Sequence, residues 1–166
     1  LLGSSQNDSA NSLTTGSDGS IYISGFTKGD LDGQTNNGAA DVFISKFDQD
    51  GTKVWTKLLG TTSLEFYGNI TTGLDGAIYI AGTTYGDLDG QINNGAGDVF
   101  ISKFNKDGTK EWTRLLGTTG WDDGRGLTIG LDGSIYITGN TTGNLDGQTN
   151  NGERDAFISK FSSDGT

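Results

Sequence analysis

Four residue types are missing from the 166-residue chain: cysteine, proline, methionine and histidine. Without Cys there is no disulfide framework, thiol nucleophile or thiolate metal site, and without His no Ser-His-Asp triad. Zinc loses its favoured ligands, whereas a hard cation held through oxygen stays open. Positive charge is scarce as well: 11 Lys plus Arg face 21 Asp plus Glu, for a net charge of −10. That balance argues against phosphate-backbone partners, which are gripped by basic patches. No apolar run approaches the roughly 20 residues of a membrane span. The chain opens on Leu1 without a Met, so we read it as a segment of a longer protein.

What is abundant is glycine, with 29 residues, together with 8 Phe, 5 Tyr and 3 Trp. The aromatic and β-branched residues are enough for a core, which argues against a disordered chain.

The chain is three copies of one unit. LLG recurs at Leu1, Leu58 and Leu115, a period of 57, with IYI at Ile21, Ile78 and Ile135 and FISKF at Phe43, Phe100 and Phe157. Copies one and two agree at 36 of 57 positions, and copies two and three at 32 of 52. The repeats are 1–57, 58–114 and 115–166 of one repeat domain covering 1–166, with blades offset from these bounds. LLG at the N-terminus is read as the tail of an outermost strand.

Each unit reads as four strands and no helix. NITTG runs into an LDG turn, where Asp-Gly suits the φ > 0 positions of a hairpin. AIYIAGT follows, rich in β-branched and aromatic residues. A long Gly/Asn/Asp loop leads to DVFISKF, a second Asp-Gly turn, and KEWTRLLG. Repeat strands are expected near 20–27, 41–47 and 53–60. IYI and VFI put apolar groups on both faces, so each sheet should be covered on both sides. Four antiparallel strands per repeat, sandwiched between neighbours, predict an all-β fold of β-propeller blades, three in this chain. The NITTG strand is expected innermost and the KEWTRLLG strand outermost. The two Asp-Gly turns then share one face, and the long loops and the segments after LLG share the other.

The run DVFISKF…DGT…WTKLLG…GNITTGLDGAIYIAGTTYG resembles the SBBP family of bacterial β-propeller repeats. Members carry a DAF-x-x-K strand, an Asp-Gly or Asn-Gly turn, a strand ending in LGG or LGT, then D-x-x-G-N-x-Y-V-x-G. The resemblance runs three times over the whole chain and implies a propeller in a large secreted or surface bacterial protein, with no catalytic residues to carry over. Related repeats often read LGG where the long loops of this chain have LDG, at Leu31 to Gly33, Leu88 to Gly90 and Leu145 to Gly147, so the fold does not require that Asp.

The long loops hardly differ among copies. Side-chain oxygens fall at Asp30, Asp32, Gln34, Asn36 and Asp41, at Asp87, Asp89, Asn93 and Asp98, and at Asn144, Asp146, Asn150 and Asp155. The spacing partly echoes a calcium loop, although Gly stands fourth and not sixth. Two readings follow: a calcium site, or Asx-turns that shape the loop and the entry to the next strand. No cofactor other than calcium is suggested.

The segments after LLG differ most, and they carry Phe66, Tyr67 and Trp121 beside Asp122 and Arg125. Aromatics next to charge suit sugar stacking or a protein interface, and equally a channel plug. The Asp122–Asp123 pair and Glu65 give no sign of an apolar pocket, so an enzyme is not expected. The reading is a non-catalytic structural or interaction scaffold, extracellular or on a bacterial surface; the alternative is a calcium-assisted carbohydrate-binding propeller. Its partners are itself by head-to-tail ring closure, or further repeats, with a glycan or protein ligand and neither nucleic acid nor a membrane span. Three blades should leave Ile21, Ile23, Phe43 and Phe47 as an apolar patch, and two copies head to tail would make six.

Overall fold

A computed structural model describes all 166 residues. Eleven strands form three antiparallel sheets. The first blade is β1 (Asp8–Thr15), β2 (Ile21–Thr27), β3 (Asp41–Phe47) and β4 (Lys53–Leu59), in that spatial order. The second is β5 (Glu65–Thr72), β6 (Ile78–Thr84), β7 (Asp98–Phe104) and β8 (Lys110–Leu116). The third holds β9 (Asp122–Ile129), β10 (Ile135–Thr141) and β11 (Asp155–Phe161). The expected strands near 20–27, 41–47 and 53–60 are β2, β3 and β4. There is no helix, hence none long and apolar enough to cross a membrane.

The hairpins form where Asp-Gly predicts them. Gly19, Gly76 and Gly133 lie at φ 79°, 78° and 77°, closing the turn between the first two strands of each blade. The preceding Asp stabilises the turn, with Asp18 Oδ1 accepting from the Ser20 N–H at 3.0 Å. Asp132 makes the same turn; the Ser134 backbone N–H, its hydroxyl and Lys160 hold that carboxyl down at about 2.

Blades stack face to face. The innermost β5 lies between β1 and β9, so the first strands line the axis, as expected. Between blades one and two, Tyr22, Val42 and Ile44 meet Ile78, Ile80, Phe100 and Phe104. Between blades two and three, Tyr79, Ala81, Val99 and Ile101 meet Ile135 and Ile137. Alternation along each strand supplies one set per face. Burying each Ile contributes roughly 1.5–3 kcal/mol.

Both faces of the middle sheet are covered, and β6 is buried along its whole length. The outer blades are covered on one face only, and the ring is not closed. On blade one, Ile21, Ile23 and Phe47 are half-buried, but Phe43, expected in an exposed patch, is 2% exposed. Phe43 lies in a recess with Leu2, Ala10 and Ile23, where the N-terminal segment and β1 shield it. On blade three the open face shows Ile158, 74% exposed.

Candidate functional site

The long loops are organised by their own polar side chains. Asp30 Oδ1 accepts from the Asn36 N–H at 2.9 Å, and the Asn36 amide reaches back to the Thr27 carbonyl. Asp87 with Asn93 and Asn144 with Asn150 repeat this at 2.9 Å. Asp32, at φ 51°, turns away from Asp30 and pairs with Lys53 and Thr56 of β4; Asp89, at φ 53°, does so with Lys110 and Thr113 of β8. The bonds from Lys53 and Thr56 hold the Asp32 carboxyl below its ordinary value. On blade three, Asp146 accepts from Ser159 instead, at 3.3 Å. The side-chain oxygens named as calcium candidates are therefore spread over turn, strand and strand-entry contacts, and no three acidic groups converge on one point.

Asp41 and Asp98 are fully buried at the entries to β3 and β7. Each Oδ2 accepts from its loop: Asn37 N–H to Asp41 at 3.0 Å, and Asn94 N–H to Asp98 at 2.9 Å. Their Oδ1 atoms have no protein donor. Each sits beside the first carboxylate of the next blade, Glu65 or Asp122, which are also buried. Glu65 is wrapped by Thr61 and Thr84 at 2.8 Å, and Asp122 by the Thr118 N–H at 2.7 Å. Burial pushes the carboxyls of Asp41, Glu65 and Asp98 up, with the Asp41 charge adding to the effect on Glu65 and the Asp122 charge to that on Asp98. The LLG glycine is needed here, since a Cβ on Gly117 would lie 2.1 Å from Asp98 Oδ1.

The copy-specific aromatics converge at the same end of the sheets. Phe66, in β5, meets Phe26 edge-on at 5.1 Å and Tyr85 at 6.5 Å. Trp121, just before β9, lies 6.4 Å from Tyr85, with the Arg154 guanidinium 4.9 Å from its ring. Arg125, in β9, stacks 4.6 Å over Tyr67 and donates to its hydroxyl at 3.2 Å. Tyr67 has φ 69°, a left-handed conformation that is costly for an aromatic residue, at the bulge where β5 leaves register with β6.

Of the five residues expected to bind a ligand, four come together: Phe66, Tyr67, Trp121 and Arg125. Asp122 does not join them, because its side chain is turned into the blade junction. Its neighbour Asp123 takes that place: Oδ2 lies 2.9 Å from Arg125 and 3.7 Å from Arg154. Successive strand residues point to opposite faces, so Asp122 and Asp123 serve different neighbours. Phe26, Tyr85, Asp123 and Arg154 also belong to the cluster. Their signal was positional: Phe26 corresponds to Thr83 and Asn140, Tyr85 to Lys28 and Thr142, and Arg154 to Ala40 and Gly97. Trp121 is 38% exposed, and both arginines keep an exposed edge. The result is a rigid aromatic surface with two cations anchored on one nearly buried carboxylate.

The largest recess, about 350 Å³, runs along β11 and is lined by Leu145, Asp146, Ala156 and Ile158 among others. It occupies the edge that β4 and β8 fill in the other blades.

Residues 111–146 match the model of the SBBP family, a β-propeller repeat. The regulatory protein FlaEY of Caulobacter vibrioides is 28% identical over 168 residues, which is 91% of this chain and 18% of that protein. The chain thus spans about a fifth of that relative's length. The matched segment begins in β8 and ends in the loop after β10, so it takes the last strand of one blade and the first two of the next. Residues 111–146 are accordingly an SBBP β-propeller repeat, set in a chain that repeats the same four-strand pattern every 57 residues.

Proposed function

We propose that this chain is a non-catalytic β-propeller scaffold that binds a protein partner through the Tyr67–Arg125–Trp121 surface. One observation carries the reading. The blades are close copies, yet Phe66, Tyr67, Tyr85, Trp121, Arg125 and Arg154, which all break the repeat pattern, gather in one partly exposed cluster. Trp, Tyr and Arg are the side chains that anchor protein interfaces, since they bury large areas at low entropic cost. A propeller needs no such cluster for its fold, and the equivalent positions of blade one are Asn7, Ala10 and Asn11.

Crosslinking and pull-down from bacterial envelope extracts tests this, comparing the wild type with Tyr67→Gly and Arg125→Ala. A partner captured by the wild type and lost with both variants is the expected result. Capture that ignores both substitutions rejects the site. A second reading, a carbohydrate-binding propeller, is favoured by exposed Trp121 beside Arg154, an arrangement on which a sugar ring could stack. Glycan-array binding that disappears with Trp121→Ala would establish it in place of the protein-partner reading. The setting we propose is a secreted or surface-exposed bacterial protein, as the family resemblance implies, and cell fractionation tests that.

A further inference from the structure

Positive charge is balanced one for one over most of the molecule. Lys46, Lys53, Lys110 and Lys160 each pair with a carboxylate of their own, Asp18, Asp32, Asp89 and Asp132, and Lys103 has two, Asp75 and Glu111. The reverse holds at one place. There Arg125 and Arg154, two of the chain's three arginines, share the single carboxylate of Asp123. Asp123 Oδ2 lies 2.9 Å from Arg125 Nη2 and 3.7 Å from Arg154 Nη1. The Asp123 side chain is 2% exposed against 43% and 40% for the arginines, so the anion is buried and the cations face water. Glu153, the exposed chain neighbour of Arg154, pairs with neither arginine. The result is an unbalanced positive spot on a molecule of net charge −10.

Both guanidiniums keep free donors. Arg125 uses Nη2 for Asp123 and for the Tyr67 hydroxyl, at 2.9 and 3.2 Å, while its Nη1 and Nε make no hydrogen bond. Arg154, at 3.7 Å from Asp123, is paired by charge alone. Both planes are also held in place, Arg125 at 4.6 Å over Tyr67 and Arg154 at 4.9 Å over Trp121. A stacked arginine has already lost much of the rotamer freedom that binding would otherwise remove. Both walls of the spot belong to the junction of blades two and three. Trp121 bridges to Gly97 of blade two, Arg125 reaches Tyr67 in β5, and Arg154 turns back over Trp121 toward that same junction.

We propose that the partner of this surface presents an acidic segment, one Asp or Glu carboxylate of which is gripped by the free edges of Arg125 and Arg154 while an apolar neighbour lies on Tyr67 and Trp121. This rests on the protein-partner reading above and names the chemistry of that partner. A guanidinium fork matches a carboxylate in shape and holds it through charge-assisted hydrogen bonds. Two cations on one carboxylate leave a single positive charge, which one further carboxylate neutralises. A phosphate group carries more charge than that, and no lysine pairs with Asp123 to meet it. The net charge of −10 turns away a nucleic acid. The same charge repels an acidic segment from the rest of the molecule, so docking is favoured at this spot over others.

Fluorescence polarisation tests this with a labelled peptide alternating Glu and Leu, beside the same peptide with Gln for Glu. The Glu peptide should bind, and the Gln peptide should be weaker by about 10-fold or more. Arg125→Ala and Arg154→Ala, each keeping the wild-type β circular dichroism, should each weaken the Glu peptide by about as much. Arg125→Lys keeps the charge without the fork and should recover only part of the loss. Lys106→Ala removes the same charge from the exposed turn between β7 and β8, on the opposite face, and should change nothing. Equal affinity for the two peptides overturns the proposal, as does a loss with Lys106→Ala as large as with Arg125→Ala. Tighter binding of a phosphoserine peptide, or binding of polygalacturonate in place of the Glu peptide, also overturns it and assigns the spot to phosphate or to an acidic glycan. A captured partner that needs Tyr67 and Arg125 but is not displaced by the Glu peptide removes the acidic segment and leaves the protein-partner reading standing. Arg125-dependent binding of the Glu peptide without a captured partner leaves the acid-binding spot standing.

Discussion

Arg125 sits 4.6 Å over the ring of Tyr67 and donates to its hydroxyl at 3.2 Å, although 58 residues separate them. The contact spans a blade junction, and Tyr67 accepts a left-handed backbone to make it. Tyr67→Gly removes the ring and also relieves the strain, two effects of opposite sign. Its melting temperature should stay within the few degrees that about 1 kcal/mol represents for a chain of this size, while partner capture is lost. A large drop in melting temperature would make Tyr67 a packing residue.

Gly82 faces the same bulge from β6. A Cβ there would lie 2.2 Å from the Phe66 carbonyl oxygen and 2.8 Å from the Phe100 ring. The carbonyl belongs to the β5 backbone and the ring is fully packed in the core between blades, so neither yields freely. Gly82→Ala should cost about 3 kcal/mol, read as a lower denaturant midpoint with an unchanged slope.

Asp98 offers a gain. Its Oδ1 is buried without a donor beside Asp122, and burial pushes its carboxyl above the ordinary value of 3.8. A carboxyl raised in the folded state contributes its full stability below the unfolded value and loses it as pH rises through the folded one. Asp98→Asn puts an amide donor where the orphaned oxygen stood. It should stabilise the chain by about 1 kcal/mol at neutral pH, and the advantage should shrink as pH falls toward 3.8. An advantage independent of pH would show that this carboxylate is not the cause.

Asp32 and Asp89 stand at the centre of the loops and are tied to Lys53 and Lys110. With these carboxylates spent on lysines, and Asp30 and Asp87 on backbone N–H groups, we expect equal melting temperatures in EDTA and in millimolar calcium. A rise in calcium would place a cation among the loop oxygens, because a ligand of the native state stabilises it by mass action. Lys53→Ala should lower stability by no more than about 1 kcal/mol, the usual range for a solvent-accessible pair.

The strands, their order from axis to edge and the face shared by the long loops were legible from one repeat. Period-2 alternation and Asp-Gly turns are local rules, and three near-identical copies state them three times. The SBBP pattern was legible for the same reason. The membership of the aromatic and arginine cluster was only half legible. Phe66, Tyr67, Trp121 and Arg125 stand in the segments that differ most, so variation alone pointed to them. Phe26, Tyr85, Asp123 and Arg154 are scattered from one end of the chain to the other, and stacking of the blades is what brings them to one surface. The choice between Asp122 and Asp123 was likewise a matter of which face of β9 meets the junction, and Phe43 was shielded by an N-terminal segment that alternation does not describe. Local sequence thus determined the blades, because backbone pairing and turns depend on neighbours a few residues apart. Only the tertiary structure decided what lies between blades, because those contacts join residues tens of positions apart and depend on how one sheet is rotated against the next.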